Sequence, residues 1–225
     1  MLPDVAMRSP PAVLPMLAAA SPGPIARPSP WLVCLLFSVL GFTATAAEPP
    51  PPADPVLLEL IARLHLEYLP GESGYFGFLG RSGQKVTIAG REFAAQSRIH
   101  YLLTAEAPIN YLHWLASDDT HVLLDGGPVD YFIFHPDGRA EKVTLGRDAA
   151  AGQQLSVAIP GNCWKALRLH PGASHVLLLN ILTPEWTPDR VKIGAGADFI
   201  ARYANCAPWA TEATLRALIG PNFAK

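Results

Sequence analysis

The chain has 225 residues, half of them hydrophobic and only 16% charged, with a formal net charge of −2 at pH 7. That composition fits one domain with a sizeable buried core plus appendages. It excludes the basic stripe that a nucleic-acid-binding face needs, so nucleic acid is not an expected partner.

Residues 1–30 are rich in Pro and Ala and carry no folding pattern. Arg27, the apolar run Trp31 to Phe42 and the A-x-A site Ala44-Thr45-Ala46 then describe a secretory signal peptide, with cleavage expected after Ala46 or Ala47. The part before the apolar run is long for such a signal, and Met7 and Met16 are alternative starts. An uncleaved anchor is the other reading, but the run falls short of the roughly 20 residues that a spanning helix needs. Cys34 lacks the preceding small residues of a lipoprotein signal. The expected product, without residues 1–47, is secreted or periplasmic, mildly acidic and free of the membrane. Its cysteines, Cys163 and Cys206, can pair in an oxidising compartment or remain separate thiols.

Glu48 to Pro55 is a proline-rich linker. Asp54-Pro55 opens a helix, Asp as N-cap and Pro at the first helical position. Val56, Leu57, Leu60, Ile61 and Leu64 keep helical spacing, and the helix is expected to end near Tyr68-Leu69-Pro70. From Gly71 the period becomes two. Strands are expected over Tyr75 to Leu79, Arg98 to Thr104, the stretch around His113, Thr120 to Asp125, Tyr131 to His135, Ala140 to Leu145, Leu155 to Ile159, Cys163 to Leu169 and Ser174 to Leu182. Lys85 to Ile88 and Glu92 to Ala95 read as short strands or a loop. The turns are Gly80 to Gly83, His135-Pro136-Asp137-Gly138, Pro160-Gly161-Asn162 and His170-Pro171-Gly172. Many short strands with Pro/Gly turns and no interposed helix predict an all-β barrel or sandwich over 56–193, not a parallel sheet. Asp198 to Tyr203 and Thr211 to Ile219, the latter capped by Gly220, read as short helices of a 194–225 extension. They are expected to cover an open edge or end of the barrel, or to meet the first helix.

The central stretch is Asn110 to Gly126. It reads as a strand with Tyr111, His113 and Leu115 on one face, a turn at Ser117-Asp118-Asp119, and a strand with Asp119, His121 and Leu123 on one face. Two imidazoles and a carboxylate then converge on one surface.

Several strings, in this order, resemble the cupin superfamily, and within it an uncharacterised bacterial and fungal branch described as predicted sugar epimerases. They are Glu72-Ser73-Gly74-Tyr75-Phe76 with Arg81-Ser82, Ile99-His100-Tyr101-Leu102-Leu103, His113 to Asp119, His135 to Gly138, Ile159 to Lys165, and Pro184-Glu185-Trp186. The resemblance spans about Leu57 to Ile193. It implies an all-β, RmlC-like double-stranded β-helix (jelly roll), a small-molecule ligand and a homodimer. The chain also departs from the branch. His121 and Val122 stand where it has Trp and His, Gly77 and Phe78 where it has Arg and Glu, and Asp119 where it has Glu. Against the wider cupin metal motif, Tyr111 and His113 stand where two histidines would, and Lys165 about where a third would.

Three readings follow. In an epimerase- or isomerase-like site, His113 is the base and Asp119 orients it. Tyr101 or Tyr111 donates the proton, and Lys165 steadies an enolate. In a metal-dependent cupin, such as a dioxygenase or isomerase, His113, His121 and Asp119 hold a single divalent ion, which Lys165 would oppose. In a binding module, Glu72, Tyr75, Tyr111, His121, Trp164 and Asn180 line the ligand, with Trp114, Phe76 and Tyr101 as further aromatic walls. A catalytically dead structural barrel is the remaining alternative.

Overall fold

The computed structural model describes residues 49–224, so the signal segment lies outside the described residues. Among the described residues no helix is long and apolar enough to cross a membrane. Helix α1 (Pro55–Leu64) starts as expected, with the Asp54 carboxylate accepting from the Val56 N–H at 2.9 Å. It stops at Leu64 rather than near Tyr68. His65 takes a left-handed conformation (φ 51°), and its N–H bonds back to Ala62 and Ile61. That stop turns Leu66 and Tyr68 onto the sheet, where they pack with Tyr75, Leu102 and Leu177. Glu67–Tyr68 becomes a short strand, β1, which was not anticipated.

The remaining strands are β2 (Tyr75–Arg81), β3 (Lys85–Ile88), β4 (Arg91–Ala94), β5 (Ser97–Thr104), β6 (Ile109–Leu115), β7 (Asp118–Gly126), β8 (Val129–Phe134), β9 (Ala140–Leu145), β10 (Ser156–Ile159), β11 (Trp164–Leu169), β12 (His175–Thr183) and β13 (Val191–Ile193). Strand β13 is a further addition to the expected set. β3 and β4 form a separate hairpin. The others make a six-stranded sheet, β1-β2-β5-β12-β7-β10, and a five-stranded sheet, β13-β6-β11-β8-β9. The paired strands of both sheets run antiparallel, and this is the all-β jelly-roll arrangement the sequence predicts.

Three apolar clusters hold the layers together. The interior between the sheets is filled by Tyr101, Leu103, Leu123, Tyr131, Ile133, Leu167 and Leu178, among others. The outer face of the six-stranded sheet is covered by α1. Helices α2 (Ala197–Tyr203) and α3 (Glu212–Ile219) cover the outer face of the five-stranded sheet through Leu112, Phe132, Phe134 and Ala166. They cap neither an edge nor an end of the barrel, and they belong to a different cluster from α1. The reason lies in the strand alternation: Leu112, Phe132, Phe134 and Ala166 point away from the interior and need their own cover. Cys163 is buried and Cys206 exposed, and both are free thiols, so the two do not pair.

Phe134 is fully buried, with edge-on contacts to Phe199 (5.0 Å), Tyr203 (5.2 Å) and Trp209 (5.7 Å). Phe134→Ala should therefore lower the unfolding free energy by about 3–5 kcal/mol in urea titrations, and Val56→Ala, on the exposed face of α1, by under about 0.5 kcal/mol.

Candidate functional site

The central stretch is not a hairpin. β6 lies in the five-stranded sheet and β7 in the six-stranded one, so the short connection at Ala116-Ser117 crosses between layers. His113 thus faces Asp119 and His121 across the interior rather than beside them on one surface. A β-bulge alters the phase of β6. Lys165 pairs with His113 while Leu167 pairs with Asn110, so three residues of β6 span two of β11. Asn110, not Tyr111, shares the inner face with His113. The Tyr111 ring instead lies against Gly220, where an added Cβ would fall 2.2 Å from the ring.

Seven of the sequence-predicted site residues are brought together inside the barrel: Glu72, Tyr101, His113, Asp119, His121, Lys165 and Asn180. Three are not. Tyr75 sits on the outer face, edge-on to Tyr68 at 5.6 Å. Tyr111 packs as described above. Trp164 pairs in register with Trp114 on the outer face and packs against Phe199 of α2. All three fall out for the same reason: strict alternation or one bulge puts them on the wrong side of a wall.

The Lys165 ammonium, on the five-stranded sheet, makes a direct ion pair with Asp119 Oδ2, on the six-stranded sheet, and both residues are buried. The same oxygen accepts from His121 Nε2 at 2.7 Å, and His121 Nδ1 lies 2.8 Å from the Tyr131 hydroxyl. A carboxylate accepts only, so His121 carries its proton on Nε2 and Nδ1 accepts from Tyr131. Asp119 therefore orients His121, not His113. His113 Nδ1 donates to the Tyr111 carbonyl at 2.9 Å, which leaves its Nε2 lone pair facing Glu72 Oε2 at 3.7 Å. Glu72 is held there because its own carbonyl accepts from the Tyr111 N–H at 2.7 Å and from Asn110 Nδ2 at 3.2 Å. Tyr101 donates to the Ser73 carbonyl at 2.5 Å, and burial holds its phenol well above the usual tyrosine range, so the hydroxyl stays protonated and engaged with that carbonyl.

Burial sets the charge states. It lowers His113 to about 4, against the pull of Glu72, and His121 to about 3. Both imidazoles are neutral at pH 7. Burial also draws Lys165 down to about 7, opposed by the Glu72 carboxylate and by its contact with Asp119. Sequence reading missed two members, Tyr131 and Asn110. Each is a polar side chain on a largely apolar strand, a signal available in the sequence but shared by many core tyrosines and asparagines.

These donors do not fit a divalent ion. Both ring nitrogens of His121 are committed, and an ammonium already occupies Asp119. Among the described residues no group of three His, Cys, Asp or Glu side chains is placed to hold a metal. The proposed set of His113, His121 and Asp119 is therefore corrected: His113 belongs with Glu72, and only His121 belongs with Asp119.

A second cluster lies at the end of β8. His135 Nε2 is 2.8 Å from Glu141 Oε1, and Cys163 Sγ is 3.5 Å from His135 Nδ1. Burial and the nearby acids raise the Cys163 thiol above its usual range, so it stays protonated.

Fold and interior together define a cupin, a small antiparallel barrel with inward-pointing imidazoles and carboxylates. The chain belongs to the family described as Cupin superfamily (DUF985), whose model matches residues 58–193, more than half of the chain. A hypothetical protein from Leishmania major has a similar structure, with a TM-score of 0.62, 25% identity, and coverage of 72% of this chain and 97% of that one. A protein from Shewanella oneidensis gives 0.61, 22%, 72% and 96%, a likeness of fold alone. The uncharacterised protein YML079W of Saccharomyces cerevisiae is 33% identical over 73 residues, 32% of this chain. The match spans about a third, 36%, of the yeast protein.

Two outcomes follow from this chemistry. Asp119→Asn or Lys165→Met alone leaves a buried charge unpaired and should cost about 3–5 kcal/mol, whereas the double variant Asp119→Leu/Lys165→Met should recover most of that loss in urea unfolding. Below pH 6.5 the unfolded chain takes up protons that native His113 and His121 refuse down to about 4 and 3, so stability falls as pH drops from 6.5 to 4. Each histidine contributes at most about 1.4 kcal/mol per pH unit, and His113→Gln should flatten that part of the pH–stability curve.

Proposed function

We propose that the barrel binds a small polar, sugar-like carbonyl compound without a metal and performs proton transfer on it. The observation that carries this reading is the His113–Glu72 gap. A neutral imidazole lone pair and a carboxylate face each other at 3.7 Å, too far for a direct hydrogen bond and suited to a bridging donor such as a substrate hydroxyl or an acidic C–H. His113 is then the base. The Lys165 ammonium is a fixed cation for a developing enolate. Support also comes from Asp119 Oδ1 and Asn180 Oδ1, buried acceptors without a protein partner. The same reading makes the mature protein exported, on the pattern of Arg27, Trp31 to Phe42 and Ala44-Thr45-Ala46. It also makes it a homodimer, for which Phe78, Leu79, Val86 and Ile88 offer exposed apolar surface.

A non-catalytic barrel is the second reading, favoured by the apolar filling around Tyr101, Leu123 and Leu178. A thermal-shift screen of small aldoses, ketoses and hydroxy acids separates the two. Bound at a hundred times its Kd, a ligand stabilises the native state by about 2.7 kcal/mol and should raise the Tm by on the order of 5 °C. Glu72→Gln should lose that shift while melting normally. A uniform absence of shifts would leave only the structural barrel.

A further inference from the structure

We propose that Lys165 captures its ligand covalently, as an imine with a small α-hydroxy aldehyde or ketone. The proposal rests on the carbonyl-binding reading above and assigns it a nucleophile.

The amine stands on the inner face of β11, between groups of complementary chemistry. Asp119 touches it, and His113 pairs with it across β6 and β11. Glu72 is close enough to act on it electrostatically. Glu72 is the most open of this set, with 16% of its side chain exposed against 3% for His113, Asp119 and Lys165, so the proposed ligand enters on the Glu72 side. The ligand must be short, because Tyr101, Leu178 and Leu123 fill the interior beyond. It should carry a hydroxyl beside the carbonyl, because Asp119 Oδ1 and Asn180 Oδ1 are buried acceptors awaiting donors, and Asn180 pairs in register with His121 on the inner face. Desolvation favours the neutral amine here, as it does for other imine-forming lysines.

The step balances without an oxidant or reductant. The ammonium first gives a proton to Asp119. The free amine then attacks the carbonyl carbon, forming the C–N bond, and the carbonyl oxygen takes up a proton to give a carbinolamine. Loss of its hydroxyl as water, protonated by the proton that Asp119 took up, leaves the protonated imine and returns Asp119 to its carboxylate. That cation acidifies the neighbouring C–H, whose proton His113 is placed to remove.

The test treats the folded full chain with glycolaldehyde and cyanoborohydride at pH 7.5 and maps modified lysines by peptide mass. Hydride from the reagent adds to the imine and fixes a hydroxyethyl group on nitrogen. Lys165 should be modified at least tenfold faster than Lys85 and Lys142, which are 53% and 38% exposed and set the rate for ion-paired surface lysines. The preference should vanish in urea and be absent from Lys165→Arg. The wild-type map decides alone if that variant does not fold. Reaction at the exposed lysines with Lys165 untouched overturns the imine. If glycolaldehyde then still raises the Tm in wild type but not in Glu72→Gln, the non-covalent reading stands without the imine. If it does neither, both fall.

Discussion

The interior is organised by one ion pair that spans it. Asp119 comes from the six-stranded sheet and Lys165 from the five-stranded sheet, and their direct contact ties the two walls together. Taking both charges out of water costs several kcal/mol per ion, which mutual attraction offsets only when the remaining lone pairs are also engaged. The structure meets half of that demand. Asp119 Oδ2 carries both the ammonium and the His121 N–H, while Oδ1 has no protein partner.

The surrounding groups take their states from that pair and from burial. Tyr131 and Asp119 fix the tautomer of His121 from either side, which makes it a rigid spacer rather than a proton carrier. His113 is held by one nitrogen only and presents the other to Glu72. The two imidazoles thus separate into one held at both ring nitrogens and one held at a single nitrogen. The separation comes from the bulge in β6, which turns the Tyr111 carbonyl toward His113 Nδ1 and sends the Tyr111 ring out to Gly220.

An internal ammonium also explains why the barrel keeps cupin geometry while its donors do not suit a divalent ion. A positive charge is already supplied by the protein at Asp119. Beside that charge stand the neutral His113 imidazole and two buried acceptors without a protein partner, Asp119 Oδ1 and Asn180 Oδ1.

Much of this was legible beforehand. The strand series, the turn chemistry, the Asp54 cap and the two C-terminal helices follow from local propensity and from apolar periods of two and 3.6, which are properties of neighbouring residues. Asp119 and His121 could be named together because alternation along β7 survives folding. Three things could not be read from the chain. The termination of α1 at His65 depends on Leu66 finding the sheet. The split of β6 and β7 between sheets depends on which edges pair, a choice between strands distant in sequence. The loss of Tyr75, Tyr111 and Trp164 from the site depends on layer and bulge, where a shift of one residue exchanges inside for outside. Sequence determined which side chains were available to the barrel, and only the long-range pairing of strands decided which of them face one another, because register is fixed by contacts that no local pattern encodes.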